Sequence, residues 1–444
     1  MQHDDRFFLR HTYGPWVAQE NRNASISVKG GEGAYFYDTR NRRYLDFSSQ
    51  LMCLNLGYGN QALADAIARQ ARELAYVAPR FATDAAREAT RALLEVAPEG
   101  LDAFFFSTSG TEANEAAVKI VRQYAAPHYK IISRYASYHG VTGGSIAVTG
   151  DYRRWSAEPV GKMPGTVFAP DAYCYRCPFH LEYPACGIQC AQYVDYMVKR
   201  EGNVAALLVE PVVGTNGVIV PPPGYLPHLR QIADSNGVLL VVDEVMTGWY
   251  RTGTWFAVEH WQVKPDIITT AKGSTGAYSP LGITMTTGTI REYFEENCFS
   301  HGHTYAMHPV SLAAMCAAIK EYRRLAHSGL LKRVATHLKQ RLGELQRNHP
   351  CLGDVRGLGH FWGLELVKNR HEKTPFDPFP AGPVSGVSMS RRIASEALRR
   401  GLHVVAWPNY LIVAPPLVVE ESDIDRGVAV LDEVLEFADL ETTN

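Results

Sequence analysis

The chain has 444 residues, 46% hydrophobic and 20% charged, with a formal net charge of -2 and an isoelectric point near 6.8. That is the composition of an ordinary globular protein long enough for a large core and more than one domain, and it gives no footing for nucleic acid or an anionic membrane as partner. No apolar run is long enough to span a bilayer, and Met1-Gln2-His3-Asp4-Asp5-Arg6 does not lead into a signal-type apolar core, so the expectation is a cytoplasmic enzyme with its eight cysteines mostly reduced.

Residues 1–30 are polar and aromatic, with Tyr13-Gly14-Pro15-Trp16 as a loop. The stretches 31–38 and 43–47 predict a strand, a turn and a strand. A helix begins near Gln61, carrying Leu63, Ala66, Ile67 and Leu74 at helical spacing. Another follows Thr83, a natural N-cap. Ala103-Phe104-Phe105-Phe106 is wholly apolar, as a strand buried on both faces would be. It runs into Ser107-Thr108-Ser109-Gly110-Thr111 and then a strong helix from Glu112. Strand, hydroxyl-rich turn and helix start make a phosphate cradle, because free backbone N–H groups and the positive helix end face an anion and Ser109 and Thr111 add hydroxyls. Plain N-capping by Ser109 or Thr111 is the alternative.

The strand 129–133 leads to Tyr138-His139-Gly140, an aromatic pair able to stack on a planar ring or simply to pack in the core. Ala205–Val209 and Val238–Val242 are apolar strands that end in Glu210 and Asp243. Their alternation with helical segments argues for a parallel sheet, whose carboxyl ends form the ligand crevice. An acid there is either an ion-pair partner or a ligand contact; beside a pyridinium nitrogen it would keep the ring protonated and electron-withdrawing. The apolar run at 267–270 ends in Ala271-Lys272-Gly273. A lysine pushed from a sheet edge into a cavity loses hydration and its pKa falls, which suits it to attack a carbonyl and hold it as a Schiff base. Taken alone, Lys272 reads as a surface lysine after an edge strand.

Residues 299–310 are dense in His and Tyr and suggest a polar site loop, followed by a helix from Ser311 and a basic amphipathic helix over 320–347. Beyond lies a small α+β set: strands near 355–357, 361–366, 402–406 and 411–413, a helix over 387–400, and a Pro-rich loop over 368–386. Cys174, Cys177, Cys186 and Cys190 have the spacing of a four-thiolate zinc site. Reduced, partly buried thiols or a disulfide are the competing readings.

Taken together, these pieces resemble the class III (ω-type) pyridoxal-phosphate aminotransferases over nearly the whole chain. The motifs that carry the resemblance are Ser109-Gly110-Thr111-Glu112-Ala113-Asn114-Glu115, Tyr138-His139-Gly140, Glu210-Pro211-Val212, Asp243-Glu244-Val245 with Arg251-Thr252-Gly253, Ala271-Lys272-Gly273, and Thr304-Tyr305 with His308-Pro309. The implied fold is the α/β fold type I of aspartate aminotransferase, a large domain with a mostly parallel seven-stranded sheet plus a small α+β domain. The implied division is an N-terminal segment, 1–55, joining the small domain; a cofactor-binding domain, 56–318; and a C-terminal small domain, 319–444. By the same resemblance Lys272 is the Schiff-base lysine and proton shuttle, and Asp243 pairs with the pyridine nitrogen. Tyr138 and Val245 flank the ring with His139 alongside, Ser109, Gly110 and Thr111 hold the phosphate, and Glu210 lies toward the substrate. Thr304 would complete the phosphate site from the other subunit of a homodimer, or of a tetramer built from such dimers.

The run Arg153-Arg154-Trp155-Ser156-Ala157-Glu158-Pro159, with Glu210–Gly217 and Val220–Tyr225, looks most like the taurine aminotransferase branch. Such enzymes move an amino group from taurine, hypotaurine or β-alanine to pyruvate or 2-oxoglutarate through pyridoxamine phosphate. Two features depart from the relatives. The stretch from Trp407 to Leu417 lacks the arginine that many of them use to clamp an acceptor carboxylate. Arg80 is the candidate replacement, with a surface or ion-paired arginine as the other reading. Met307 stands where small residues are usual, either narrowing the pocket or packing. An aminomutase or decarboxylase on the same scaffold, a transaminase for a larger amine, and a non-enzymatic cofactor- or zinc-binding module are the alternatives to an ω-aminotransferase.

Overall fold

The computed structural model describes residues 3–16, 18–19, 26–160, 163–378 and 387–443. Its centre is a seven-stranded sheet, in the spatial order Leu101–Ser107, Gly282–Thr287, Ile267–Thr270, Leu239–Asp243, Val204–Val209, Lys130–Arg134, Thr166–Ala169. The last five run parallel to one another, while Gly282–Thr287 is antiparallel to both its neighbours. All six positions of Val204–Val209 are buried. Helices cover the sheet, so such a strand has no wet face and reads as an unbroken apolar run. Each Val or Leu removed from water in this way contributes about 1.5–3 kcal/mol.

Leu101–Ser107 departs from the expectation of a strand buried on both faces. It forms the edge of the sheet, and Ala103, Phe104 and Phe105 are only half-buried. Phe105 is covered by the edges of Phe299 and His301 rather than by a further strand. The strand is antiparallel to Gly282–Thr287, which is antiparallel to Ile267–Thr270. Its carboxyl end therefore lies at the same edge as those of the parallel strands. That edge receives Ser109, Tyr138, Glu210, Asp243 and Lys272 from five separate strand ends, the crevice that an open α/β sheet offers to ligands.

The two ends of the chain meet. Tyr35–Asp38 pairs antiparallel with Val28–Glu32 and Arg43–Asp46, and Leu402–His403 adds to Arg43–Asp46 in parallel. A further sheet joins Leu352–Leu358, Phe361–Asn369, Tyr410–Val413 and Val405–Trp407. The basic helix expected over 320–347 is two helices, Pro309–His327 and Leu330–Asn348. Gly329, at φ +74°, breaks the run in a left-handed conformation that glycine adopts without steric cost. The C-terminal part of the Pro-rich loop, 379–386, lies outside the described residues. No helix among the described residues is long and apolar enough to cross a membrane.

Candidate active site

The five strand ends enclose a cavity of about 440 Å³. The helix Gly110–Tyr124 starts at its wall, capped by the Ser109 hydroxyl, which accepts from the Glu112 amide at 3.3 Å. The first-turn amides of Gly110 and Thr111 have no partner within the helix and point outward with the positive end of the dipole. A Cβ on Gly110 would come within 2.9 Å of Val245 Cγ1, so only glycine lets the helix start pack this closely. The Thr111 hydroxyl is already engaged: it accepts from the Val141 amide at 3.0 Å and pairs with Ser145 Oγ at 2.6 Å. Thr111 thus ties the turn after His139 to the helix start.

Asp243 lies at the floor, 3% exposed. Its Oδ2 accepts from Asn114 Nδ2 at 2.8 Å and faces His139 Nδ1 at 2.7 Å, and its Oδ1 accepts from the Val245 amide at 2.9 Å. Asn114 is itself held by Thr269, whose hydroxyl donates to Asn114 Oδ1 at 2.8 Å, and by the His139 carbonyl. Glu210 Oε1 accepts from the Tyr138 amide and Oε2 from the Gly214 amide. Burial pushes its pKa up. Burial likewise pulls down the Lys272 pKa, against the charges of Cys53, Asp243 and Glu210 and with help from Arg153. Lys272 has φ +40°, a conformation that costs a non-glycine residue about 1–3 kcal/mol. Tyr322 donates its hydroxyl to the next carbonyl, Gly273 O, at 2.6 Å.

Arg153 was visible in the sequence only as part of a run. It is 4% exposed, with its guanidinium 3.7 Å from the centroid of Tyr138 and 5.3 Å from that of Trp407. Nε and Nη2 bind Asp151, and Nη2 also donates to Thr215 Oγ1 at 2.8 Å. Nη1 makes no hydrogen bond among the described residues. Its contacts come from distant parts of the chain, so no local pattern announces them.

Other candidates lie elsewhere. Arg80 is exposed, 4.8 Å over the Phe81 ring. Thr304 is exposed and its carbonyl accepts from Tyr76 Oη at 2.8 Å. Met307 takes φ +57° beside the Phe106 carbonyl. Cys174, Cys177, Cys186 and Cys190 are free thiols around a void of about 20 Å³, and burial pushes Cys190 up to about 11. Among the described residues no three His, Cys, Asp or Glu side chains are arranged to hold a metal ion.

A desolvated amine, a buried carboxylate, an aromatic face and a helix-start anion cradle converge on one cavity. These features match the aldehyde, ring nitrogen, ring face and phosphate of pyridoxal phosphate, and fold and cavity together define a fold type I enzyme dependent on that cofactor. The chain belongs to the class-III aminotransferases, whose family model matches residues 16–435. It is 33% identical to a putrescine–pyruvate aminotransferase of Pseudomonas aeruginosa, over 94% of this chain and 92% of that one. It is 32% identical to a taurine–pyruvate aminotransferase of Rhodobacter capsulatus, over 97% and 95%. The solved taurine:2-oxoglutarate aminotransferase of Bifidobacterium kashiwanohense, in complex with pyridoxal phosphate and glutamate, superposes with a TM-score of 0.92 at 31% identity, covering 99% of each chain. The chain is therefore a pyridoxal-phosphate-dependent transaminase.

Proposed function

We propose that this transaminase takes its amino group from an ω-amino acid with an anionic far end, such as taurine, hypotaurine or β-alanine, and passes it to pyruvate or 2-oxoglutarate. The observation that carries this reading is Arg153. Its guanidinium is buried against Tyr138, is aimed by Asp151 and Thr215, and has no partner for Nη1 among the described residues. A guanidinium edge in that state suits a sulfonate or carboxylate, because charge-assisted bonds are stronger out of water. The stretch from Trp407 to Leu417 has no arginine, so Arg153 receives the acceptor carboxylate as well as the donor anion. Arg153 reaches the cavity through the ring of Tyr138, which lines it, whereas Arg80 is exposed over the Phe81 ring.

The remaining roles follow from position. Pyridoxal phosphate, when bound, supplies the electron sink. Lys272 would hold the cofactor through its amine, and that amine, when free, would carry the proton at the donor carbon. Asp243 holds a proton on the pyridine nitrogen, with Asn114 and His139 fixing the carboxylate. Tyr138 and Val245 flank the ring. Ser109 and the amides of Gly110 and Thr111 bind the phosphate. Glu210, held by the Tyr138 and Gly214 amides, orients the substrate side. Thr304, exposed on this subunit, completes the phosphate site across a homodimer.

The test is a half-reaction. Taurine, β-alanine, L-alanine and putrescine are added singly to the holoenzyme without acceptor, and loss of the cofactor's yellow absorbance is followed. Bleaching by taurine or β-alanine, reversed by pyruvate or 2-oxoglutarate, is the expected outcome. Bleaching by putrescine alone would replace the reading with one for cationic donors.

A further inference from the structure

Four thiols gather away from the site of chemistry. Cys174, Cys177, Cys186 and Cys190 all line one void of about 20 Å³, room for about one water molecule. Burial, and then the charges of Cys177 and Cys186, push the Cys174 pKa up, as crowding among thiols should. Among the described residues no three such side chains are arranged to hold a metal ion, so their gathering calls for another account.

The backbone brings two of them together. Cys174–Arg176 is a 3-10 turn, and Cys177 follows as its capping residue. Such a turn has three residues per revolution and rises about 2 Å per residue, so side chains at i and i+3 eclipse. Cys174 and Cys177 therefore share one face, with Cα atoms about 6 Å apart, inside the span of roughly 4.4–6.8 Å that a disulfide bridges. Cys186 and Cys190 have no such relation. They straddle the start of the helix Gln189–Glu201, and Ile188, at φ +60°, breaks the register between them. Cys174 is exposed, so a small oxidant can reach it.

The same turn clasps the small sheet. Tyr173 donates its hydroxyl to Glu365, and Arg176 Nε pairs with Glu365 at 2.5 Å. Arg176 Nη1 donates to the Lys373 carbonyl at 2.6 Å, and the Tyr175 carbonyl accepts from Lys373 Nζ at 2.9 Å. Glu365 is wholly buried in the strand Phe361–Asn369. The residue before the first cysteine and the two between the pair thus carry the contact with that strand and the loop after it. A bond between Cys174 and Cys177 would close the turn from which the contact is made.

We propose that Cys174 and Cys177 form a reversible dithiol–disulfide centre, oxidised by a low-molecular-weight disulfide of the glutathione type, that stiffens this clasp. One cysteine loses its proton and attacks the small disulfide, whose S–S bond breaks to release one thiol and leave a mixed disulfide. The other cysteine, deprotonated in turn, attacks the protein sulfur of that mixed disulfide and releases the second thiol. Two electrons pass to the small disulfide, which leaves as two thiols, and one protein S–S bond is formed.

The test treats the holoenzyme with glutathione disulfide at pH 8, where a thiol of raised pKa still supplies some thiolate. The protein is then alkylated and read by intact mass and peptide mapping. Two of the eight thiols should be lost, with the bond mapped to Cys174 and Cys177 and reversed by dithiothreitol. C186S and C190S should oxidise as the wild type does, and C177S should stop at the mixed disulfide while keeping its cofactor absorbance. Hydrogen exchange over Phe361–Asn369 should slow by at least about threefold on oxidation of the wild type and not in C177S. A glutathione adduct as the only product, a bond mapped to another pair, one zinc ion per chain protecting the thiols, or unchanged exchange on oxidation would overturn the proposal.

Discussion

His139 Nδ1 lies 2.7 Å from Asp243 Oδ2, with both side chains buried away from solvent. An ionised carboxylate can only accept, so the proton between them belongs to Nδ1. The other ring nitrogen, Nε2, is buried with no hydrogen-bond partner among the described residues. His139 and Asn114 therefore each bring a donor to one carboxylate and fix the face it presents to the cavity. D243N should lower turnover by at least about a hundredfold, the scale of a lost acid–base partner, while N114A should act more mildly through a loosened carboxylate. Cofactor retention after dialysis, set beside kcat, separates the two. Wild-type turnover in D243N would remove Asp243 from the chemistry.

The backbone around Lys272 leads to a second expectation. Lys272 sits at φ +40°, and Tyr322, fully buried, holds the carbonyl of the next residue. Asn55 reaches the Trp249 carbonyl and accepts from Arg251, so this packing also links the loop before Gly57 to the lysine turn. Y322F removes one of two bonds to Gly273 O, the other coming from the Gly276 amide. The turn should survive but hold the lysine less firmly. Turnover should fall by about tenfold with KM unchanged, the signature of an interaction felt in the transition state. A rise in KM alone would assign Tyr322 to substrate binding instead.

Acid sensitivity should be traceable to His360. Its ring is buried with neither nitrogen hydrogen-bonded among the described residues, and burial, aided by the Arg251 charge, pulls its pKa from 6.5 to about 3. The unfolded chain therefore binds a proton that the folded one refuses between those values. Its contribution to stability is whole above pH 6.5 and is lost as pH falls toward 3, by up to about 1.4 kcal/mol per pH unit. Urea unfolding at pH 7.5, 6.5, 5.5 and 4.5 should give a steeper acid loss in the wild type than in H360L. Parallel curves would mean that other groups set the acid limit.

The chain shows why some of this was legible in sequence and some was not. Glu210, Asp243 and Lys272 each follow an apolar run, so a strand-end position could be read from a few consecutive residues. A helix after the hydroxyl-rich turn was legible for the same local reason, although it begins at Gly110, inside the turn, rather than at Glu112. Phe104 and Phe105 misled because an edge strand covered by the Phe299–His301 loop is as apolar as a central one. The break at Gly329 was hidden because both flanking helices are amphipathic and basic. Arg153 carried no signal of burial, since Tyr138, Thr215 and Trp407 come to it only through the fold.

Arg153 gives the sharpest discrimination among donors. R153Q removes the charge while leaving a side chain able to reach Asp151 or Thr215. Its kcat/KM for taurine should fall by at least about tenfold, the worth of one charge-assisted hydrogen bond made out of water. An uncharged amine of similar length, such as propylamine, makes no such bond and should be little affected. Asp151 limits how far the comparison can be pushed, because in R153Q it remains a buried acid without its main partner and itself repels an anionic donor. The double variant R153Q/D151N removes that repulsion. Recovery of taurine turnover to near wild type in the double variant would mean that Arg153 serves only to neutralise Asp151. A persistent deficit for taurine, with propylamine spared, would mean that the guanidinium itself receives the anion.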